Sequence, residues 1–371
     1  MMMSKARHRV HLFAMLLITG LVSAGCRKPG GETVEAGDEE TKQQPKAGGA
    51  MEEKKEKPDP REDMKSRVYA VTLDAGDAGI VYVGSAAGLV VYDAAEPSAP
   101  AELGAVYLPG SVVSIVQDGD RLYAATGPSG VAVIDVKDRR RPSLLFMADT
   151  PGGAWKAVPL KENVLAVADG SLGVTVVDIS GGSDVTVIGR AMTGDYVRDI
   201  AVEREGKAAY IYAAGGKDGI VLHDATSPAA PAFLSRLSAV AEDGGVRSLH
   251  LRGSTVFGAA GRKGLIVAQR KGEKLVLAGA HDPSASDLVR GVCVDEKTNR
   301  AFLSAGEHDL VFLDVSDIAA VKPAGRFDHE RSINRTVVSD ERAFVAADAG
   351  GLMILDVSNL HDVKILYPKP G

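Results

Sequence analysis

One short apolar run recurs seven times between residues 67 and 371, usually opened by Gly and closed by Asp. The seven copies are Gly88–Asp93, Gly130–Asp135, Gly173–Asp178, Gly219–Asp224, Gly264–Gln269, Asp309–Asp314 and Gly351–Asp356. Their closing residues are spaced 42, 43, 46, 45, 45 and 42 residues apart. A sequence period in the forties is typical of solenoids and propellers, so one repetitive domain is predicted for this region.

Each repeat has the pattern of four short strands. In the fourth repeat the strand-like segments are 197–202, 209–213, 220–224 and 232–237, and Gly and Pro punctuate the connections. No segment shows helical periodicity long enough to support an alternating helix-strand fold. The sequence therefore predicts an all-β, seven-bladed β-propeller over residues 67–371, with about 44 residues per blade.

The closing Asp is often followed by Pro four residues later, as from Asp93 to Pro97 and from Asp224 to Pro228. Together with the Leu-Val-Val-Tyr-Asp type of run, this pattern resembles the LVIVD repeat. The resemblance implies a bacterial secreted or surface propeller, often a lipoprotein, and it implies no particular activity. Gln269 and Asp309 depart from the pattern, so the turns of blades five and six are expected to differ.

The N-terminus has the layout of a secretory signal peptide. Basic residues in 1–9 precede an apolar run, 10–22, that is shorter than the roughly 18 residues of a membrane span. Ala24 and Gly25 before Cys26 resemble a bacterial lipobox, which implies a signal peptide of residues 1–25 and a lipid on Cys26. Arg27 after that cysteine implies the outer membrane. Ordinary cleavage after Ala24 is the alternative.

Residues 26–66 are predicted to be a disordered tether. Within 27–66, 20 of 40 residues are charged and none is aromatic, so the segment lacks the apolar surface to fold. The only other cysteine, Cys293, lies in an apolar strand pattern, where a small buried side chain is expected. No disulfide framework is therefore predicted.

The common catalytic signatures are absent from the sequence, and no metal site or cofactor is predicted. The cluster Glu307-His308-Asp309 and the pair Asp118 and Asp120 are interpreted as turns. The six repeated Asp residues are expected to accept backbone N–H bonds at turns rather than to bind a ligand. A single Trp argues against a broad aromatic platform for sugars and against the tryptophan-rich propellers that hold quinone cofactors.

Arg recurs at one place in the first strand of the blades. The residues aligned there are Arg67, Val113, Trp155, Arg198, Arg247, Arg290 and Arg335. In a propeller the first strand lines the channel, so five guanidinium groups and Trp155 are predicted to form a ring at one mouth that attracts anions. The alternative is that each Arg pairs with a carboxylate of a neighbouring blade.

These observations predict a non-enzymatic binding or scaffolding module, lipid-anchored at a bacterial outer membrane and facing either the periplasm or the cell surface. The expected partners are envelope proteins or an anionic ligand, and a monomer is expected. Nucleic acid is an unexpected partner, because residues 67–371 carry 31 Lys and Arg against 38 Asp and Glu. The second hypothesis is a hydrolase or lyase with its site in the channel, which acidic or His side chains converging near the axis would favour.

Overall fold

The computed structural model describes residues 64–238, 245–282, 288–306 and 309–368. The predicted signal peptide, Cys26 and most of the predicted tether lie outside the described residues. A helical turn at 64–66 precedes the first strand. No helix among the described residues is long and apolar enough to cross a membrane.

Seven four-stranded antiparallel sheets follow one another along the chain, and each sheet is one blade. Blade one contains β1 (Val68–Leu73), β2 (Ile80–Ser85), β3 (Gly88–Asp93) and β4 (Ala101–Tyr107). Blade two contains β5 (Ser114–Asp118), β6 (Arg121–Ala125), β7 (Val131–Asp135) and β8 (Ser143–Ala148). Blade three contains β9 (Lys156–Lys161), β10 (Val164–Ala168), β11 (Val174–Asp178) and β12 (Thr186–Ala191).

The remaining four blades repeat this order. Blade four contains β13 (Ile200–Glu205), β14 (Ala208–Ala214), β15 (Ile220–Asp224) and β16 (Ala232–Leu237). Blade five contains β17 (Ser248–Arg252), β18 (Thr255–Ala259), β19 (Leu265–Lys271) and β20 (Lys274–His281). Blade six contains β21 (Gly291–Asp295), β22 (Arg300–Ala305), β23 (Asp309–Asp314) and β24 (Lys322–Asp328). Blade seven contains β25 (Arg335–Ser339), β26 (Arg342–Ala346), β27 (Leu352–Asp356) and β28 (Lys364–Tyr367).

The predicted all-β seven-bladed propeller is thus confirmed. The recurrent apolar run forms the third strand of each blade, and its side chains are almost entirely buried, as in Leu89, Val133 and Leu222. Seven apolar clusters form the core, and each joins the facing sheets of two adjacent blades. Burial between neighbouring blades stabilises the fold because a single sheet cannot cover its own two faces.

Closure of the ring depends on blades one and seven, and neither lends a strand to the other. The backbone N–H of Val68 donates to the carbonyl of Asp348 at 3.0 Å, and the reverse bond is 3.1 Å long. Asn334 also donates from Nδ2 to the carbonyl of Val68. Met64, which precedes the predicted start of the propeller at residue 67, is buried in the apolar cluster that joins these blades. Packing and backbone bonds at this seam therefore close the ring.

The repeated Asp residues perform the predicted structural role. Each of the six accepts a hydrogen bond at Oδ1 from the backbone N–H two residues later; they are Asp93, Asp135, Asp178, Asp224, Asp314 and Asp356. Blade five lacks this Asp, and a short turn between Lys271 and Lys274 joins its third and fourth strands instead. The different turn predicted at Gln269 is therefore present.

The repeated Gly before the third strand has a steric cause. Gly219 adopts a φ of 80°, and a Cβ there would lie 2.0 Å from the carbonyl oxygen of Leu237. Any side chain at this position would collide with the outer strand of the same blade. Asp118 and Asp120 flank Gly119 in a tight turn between β5 and β6, as expected. Glu307 and His308 lie outside the described residues.

Candidate functional site

The innermost strands of all blades begin on the same side of the ring, and their first residues form layers around the channel. In five blades an isolated backbone bridge to the neighbouring blade fixes the register of the innermost strand. The bridging residues on that strand are Val68, Ala154, Val197, Val246 and Val289. The residue after each bridge belongs to the first layer. The full layer, which we call the arginine mouth, comprises Tyr69, Val113, Trp155, Arg198, Arg247, Arg290 and Asn334.

One residue further along each strand lies the second layer. Strand pairing aligns its members with the ends of the second strands; they are Ala70, Ser114, Lys156, Asp199, Ser248, Gly291 and Arg335. This register departs from the sequence alignment in two blades. Tyr69, not Arg67, occupies the first layer of blade one, and Asn334, not Arg335, occupies that of blade seven.

A pocket of about 280 Å³ opens at the arginine mouth. It is lined by Arg198, Arg247, Arg290, Arg335 and Trp155, which are five of the six residues that the sequence singled out. Arg67 is exposed and is not among the lining residues. The structure therefore brings four of the five arginines together, three of them from the adjacent blades four, five and six.

Arg198 lies against aromatic rings. Its guanidinium carbon is 4.6 Å from the ring centre of Tyr196 and 5.6 Å from that of Trp155. Trp155 donates from Nε1 to the hydroxyl of Tyr196 at 2.6 Å, which fixes both rings. The carboxylate of the adjacent Asp195 accepts backbone N–H bonds from Tyr196 and Lys217. Those backbone N–H bonds lower the pKa of Asp195, and the charge of Arg198 lowers it further. The rings hold Arg198 by cation–π attraction.

Arg247 lies between two other cations. Burial lowers the pKa of Arg247, and the positive charges of Arg198 and Arg290 lower it further. The part of this shift that comes from Arg198 and Arg290 reflects repulsion between like charges, which a bound anion would relieve. Ser248, which follows Arg247, also lines the pocket, and its buried Oγ has no hydrogen-bond partner in the described structure.

Arg335 pairs with a carboxylate, which was the alternative prediction for the arginines of the first strands. Its guanidinium lies 3.3 Å from Oδ2 of Asp199, and Nζ of Lys156 lies 2.7 Å from Oδ1 of the same group. Burial acts to raise the pKa of Asp199, but the charges of Lys156 and Arg335 outweigh it and the net shift is downward. Asp199 also accepts the backbone N–H of Leu249. This buried cluster connects blades three, four, five and seven.

A second, larger space lies deeper in the channel. This central cavity has a volume of about 500 Å³, and its lining includes His250, Cys293, Lys156 and Arg335. Burial lowers the pKa of His250 to about 4, helped by the charges of Lys156 and Arg252. Burial raises the pKa of the Cys293 thiol to about 12. At neutral pH His250 is therefore a neutral imidazole and Cys293 a protonated thiol.

The channel provides little support for the hydrolase or lyase hypothesis. Asp199 is the carboxylate of the second layer, and both of its oxygens already accept bonds from cations. His250 is the one histidine in the lining of the central cavity. No group of three potential metal ligands occurs among the described residues. What gathers at the mouth is positive charge and aromatic rings, which can hold an anion.

Sequence reasoning missed several residues of this site. Tyr69 and Asn334 were missed because the alignment of the repeats was based on the arginines and not on the strand register. The second layer holds different residue types in three consecutive blades, namely Lys156, Asp199 and Ser248. No repeated residue type therefore indicated these positions. The one signal in the sequence was the register, because each residue of the first layer follows a Val, an Ala or an Ile.

Fold and mouth together define the class: a seven-bladed β-propeller with a cationic channel opening. The LVIVD repeat profile matches residues 79–107, 152–193 and 331–362. The chain therefore carries LVIVD repeats on a seven-bladed propeller, consistent with the LVIVD-repeat β-propeller family. No curated protein sequence matches the chain significantly.

Solved structures share the fold at low sequence identity. The chain is similar to Saccharomyces cerevisiae Sqt1 at a TM-score of 0.62 and 12% identity, covering 82% of this chain and 86% of that one. It is similar to the β-propeller domain of Myceliophteria thermophila Cps50 (Swd1) at a TM-score of 0.64 and 12% identity, covering 79% and 97%. The chain is also similar to the computationally designed protein Ika8 at a TM-score of 0.58 and 14% identity, covering 82% of this chain and 87% of that one. These likenesses concern the fold alone.

Proposed function

We propose that this protein is a non-enzymatic binding module of the bacterial cell envelope that holds an anionic ligand at the arginine mouth. The observation that carries the proposal is the convergence of Arg198, Arg247 and Arg290 from adjacent blades on one pocket. Among the described residues, neither Arg198 nor Arg290 forms an ion pair. An anion would therefore meet, at Arg198 and Arg290, guanidinium groups that form no ion pair with a carboxylate of the described residues.

A double substitution, Arg198→Gln with Arg290→Gln, tests the site. The wild-type protein should melt at a higher temperature in the presence of phosphate or small dicarboxylates, because a ligand that binds only the folded state stabilises it. The double variant should lose this response. It should also match or exceed the wild-type stability without ligand, since mutual repulsion at the mouth is relieved.

The matched control is Arg140→Gln with Arg141→Gln. These two exposed arginines lie in the loop between β7 and β8, on the opposite side of the ring, and the substitution removes the same charge. The control should keep the full anion response. The proposal fails if wild type does not respond to any of the anions, or if the control loses the response as completely as the double variant.

The envelope location rests on the sequence. We propose that Cys26 carries the lipid and that the charged segment after it tethers the propeller to the outer membrane. Cys26→Ala should release the protein from the membrane fraction while leaving its melting temperature unchanged. Retention of the variant on membranes after a high-salt wash would remove the lipid anchor from the proposal.

A further inference from the structure

We propose that the ligand of the arginine mouth is an amphipathic organic anion, whose charged group binds at Arg198, Arg247 and Arg290 and whose uncharged body extends into the central cavity. This inference rests on the proposed function and specifies the ligand of the same site. Three features carry it: the two spaces adjoin, the deeper one is larger and most of its lining side chains are apolar, and one side chain at the boundary is able to move.

The two spaces adjoin at Arg335. This side chain lines both the mouth pocket and the central cavity. The mouth pocket, at about 280 Å³, is small for an organic ligand by itself, while the central cavity adds about 500 Å³. Small-molecule sites usually enclose about 300–1,000 Å³. A ligand that uses both spaces fits this range better than one confined to the mouth.

Most of the side chains that line the central cavity are apolar, and several side chains with hydroxyl groups also line it. Valine side chains from four blades line it, and each is half-buried; they are Val116, Val158, Val202 and Val337. Lys156 and Arg335, the cations in this lining, are both held by Asp199. An anion deep in the cavity would have to compete with that carboxylate. The charged end of a ligand therefore belongs at the mouth and its uncharged part belongs among the valines.

For the uncharged part of the ligand to enter the central cavity, the Arg335 side chain must move while Asp199 stays in place. The Arg335 side chain is 26% exposed, while that of Asp199 is fully buried. If Arg335 swings aside, Asp199 keeps the 2.7 Å contact with Lys156 and the backbone bond from Leu249. The carboxylate is then not left without a partner. Arg335 is therefore the movable side chain between the two spaces.

Calorimetric titration with a series of straight-chain carboxylates tests the inference on the purified protein. Acetate, butanoate, hexanoate and octanoate present the same charged group with bodies of increasing length. Affinity should rise along the series by about two- to fourfold for each methylene that enters the cavity. Val337→Phe narrows the cavity, and it should leave acetate binding unchanged while removing the gain from chain length.

Two further variants keep the test decisive. Val158→Phe narrows the same cavity from another blade and replaces Val337→Phe if that variant does not fold. Val187→Phe is the matched control, because Val187 is 39% exposed on the outer strand of blade three. The control should retain the chain-length dependence of wild type.

The outcomes separate this inference from the proposed function. If all four carboxylates bind equally, or if the chain-length gain survives in both cavity variants, the body does not enter the cavity and the inference is wrong, while the anion site stands. If an acidic peptide binds and no small carboxylate does, the ligand is a protein segment and the inference is wrong. If neither these carboxylates nor phosphate binds, the proposed function fails as well.

Discussion

The two faces of the ring use arginine in opposite ways. At the arginine mouth, Arg198 and Arg290 face a pocket without a carboxylate partner among the described residues. On the far face, where the innermost strands end, Arg139 donates to the buried carboxylate of Asp74 at 2.8 Å, and Arg270 donates to Glu203 at 2.9 Å. The proposed anion site thus differs from the far face, where Arg139 and Arg270 are each paired with a carboxylate of the protein.

The far-face pairs are two copies of one arrangement. Tyr82 in β2 donates from its hydroxyl to Asp74 at 2.5 Å, and Tyr212 in β14 donates to Glu203 at the same distance. In each copy the arginine comes from the next blade, so the cluster ties adjacent blades together. We call these clusters the far-face clamps. Asp74 is fully buried, Glu203 and Arg270 are mostly buried, and Arg139 is partly exposed. An ion pair affects stability most where its groups are buried and hydrogen-bonded.

The largest expected difference between the faces concerns removal of an arginine. Arg270→Met deprives Glu203 of both N–H donors and should lower the free energy of unfolding by about 3 kcal/mol. Arg290→Met at the mouth removes the same charge from an exposed side chain and should change it by no more than about 0.5 kcal/mol. Urea unfolding of the two variants measures both values. Equal losses would contradict the contrast between the faces.

A second, smaller effect concerns acid. Burial acts to raise the pKa of Asp74, but hydrogen bonds from Tyr82, Gly76 and Arg139 lower it to about 2. The unfolded chain binds this proton near pH 4, so the contribution is complete above that pH and is lost as the pH falls from about 4 towards 2. The loss should be roughly 2 kcal/mol. Asp74→Asn should be less stable at neutral pH and should show a smaller loss across this interval, as followed by thermal melting.

The repeated features of the fold could be predicted from the sequence, because each depends on contacts within one blade. The period fixed the number of blades, and the Asp that closes the third strand bonds to a backbone N–H only two residues away, as at Asp224. Gly219 has a positive φ in this turn, and the turn recurs in the other blades, as at Gly173. Local causes of this kind repeat with the sequence.

The candidate site could be predicted only in part, because it depends on register and on contacts between distant blades. The backbone bridge between Val68 and Asp348 shows that Tyr69 lies where Arg67 was expected. The contact between Arg335 and Asp199 joins residues 136 positions apart. The sequence around Arg335 does not indicate a contact with Asp199, nor does the sequence around Asp199 indicate one with Arg335. The sequence therefore could not show that Arg335 has a carboxylate partner while Arg198 forms no ion pair among the described residues.

The smallest expected effect concerns salt, and it compares the same two faces without a ligand. At the mouth, repulsion between exposed guanidinium groups is screened as the Debye length falls from about 30 Å at 0.01 M to about 3 Å at 1 M salt. Added sodium chloride should therefore stabilise wild type relative to the Arg198→Gln, Arg290→Gln variant, by at most about 1 kcal/mol. The far-face clamps are too buried for salt to weaken them comparably, so Arg270→Met should keep the salt dependence of wild type. Melting curves across this range provide the measurement. A salt dependence that disappears in Arg270→Met and persists in the mouth variant would reverse the assignment of the two faces.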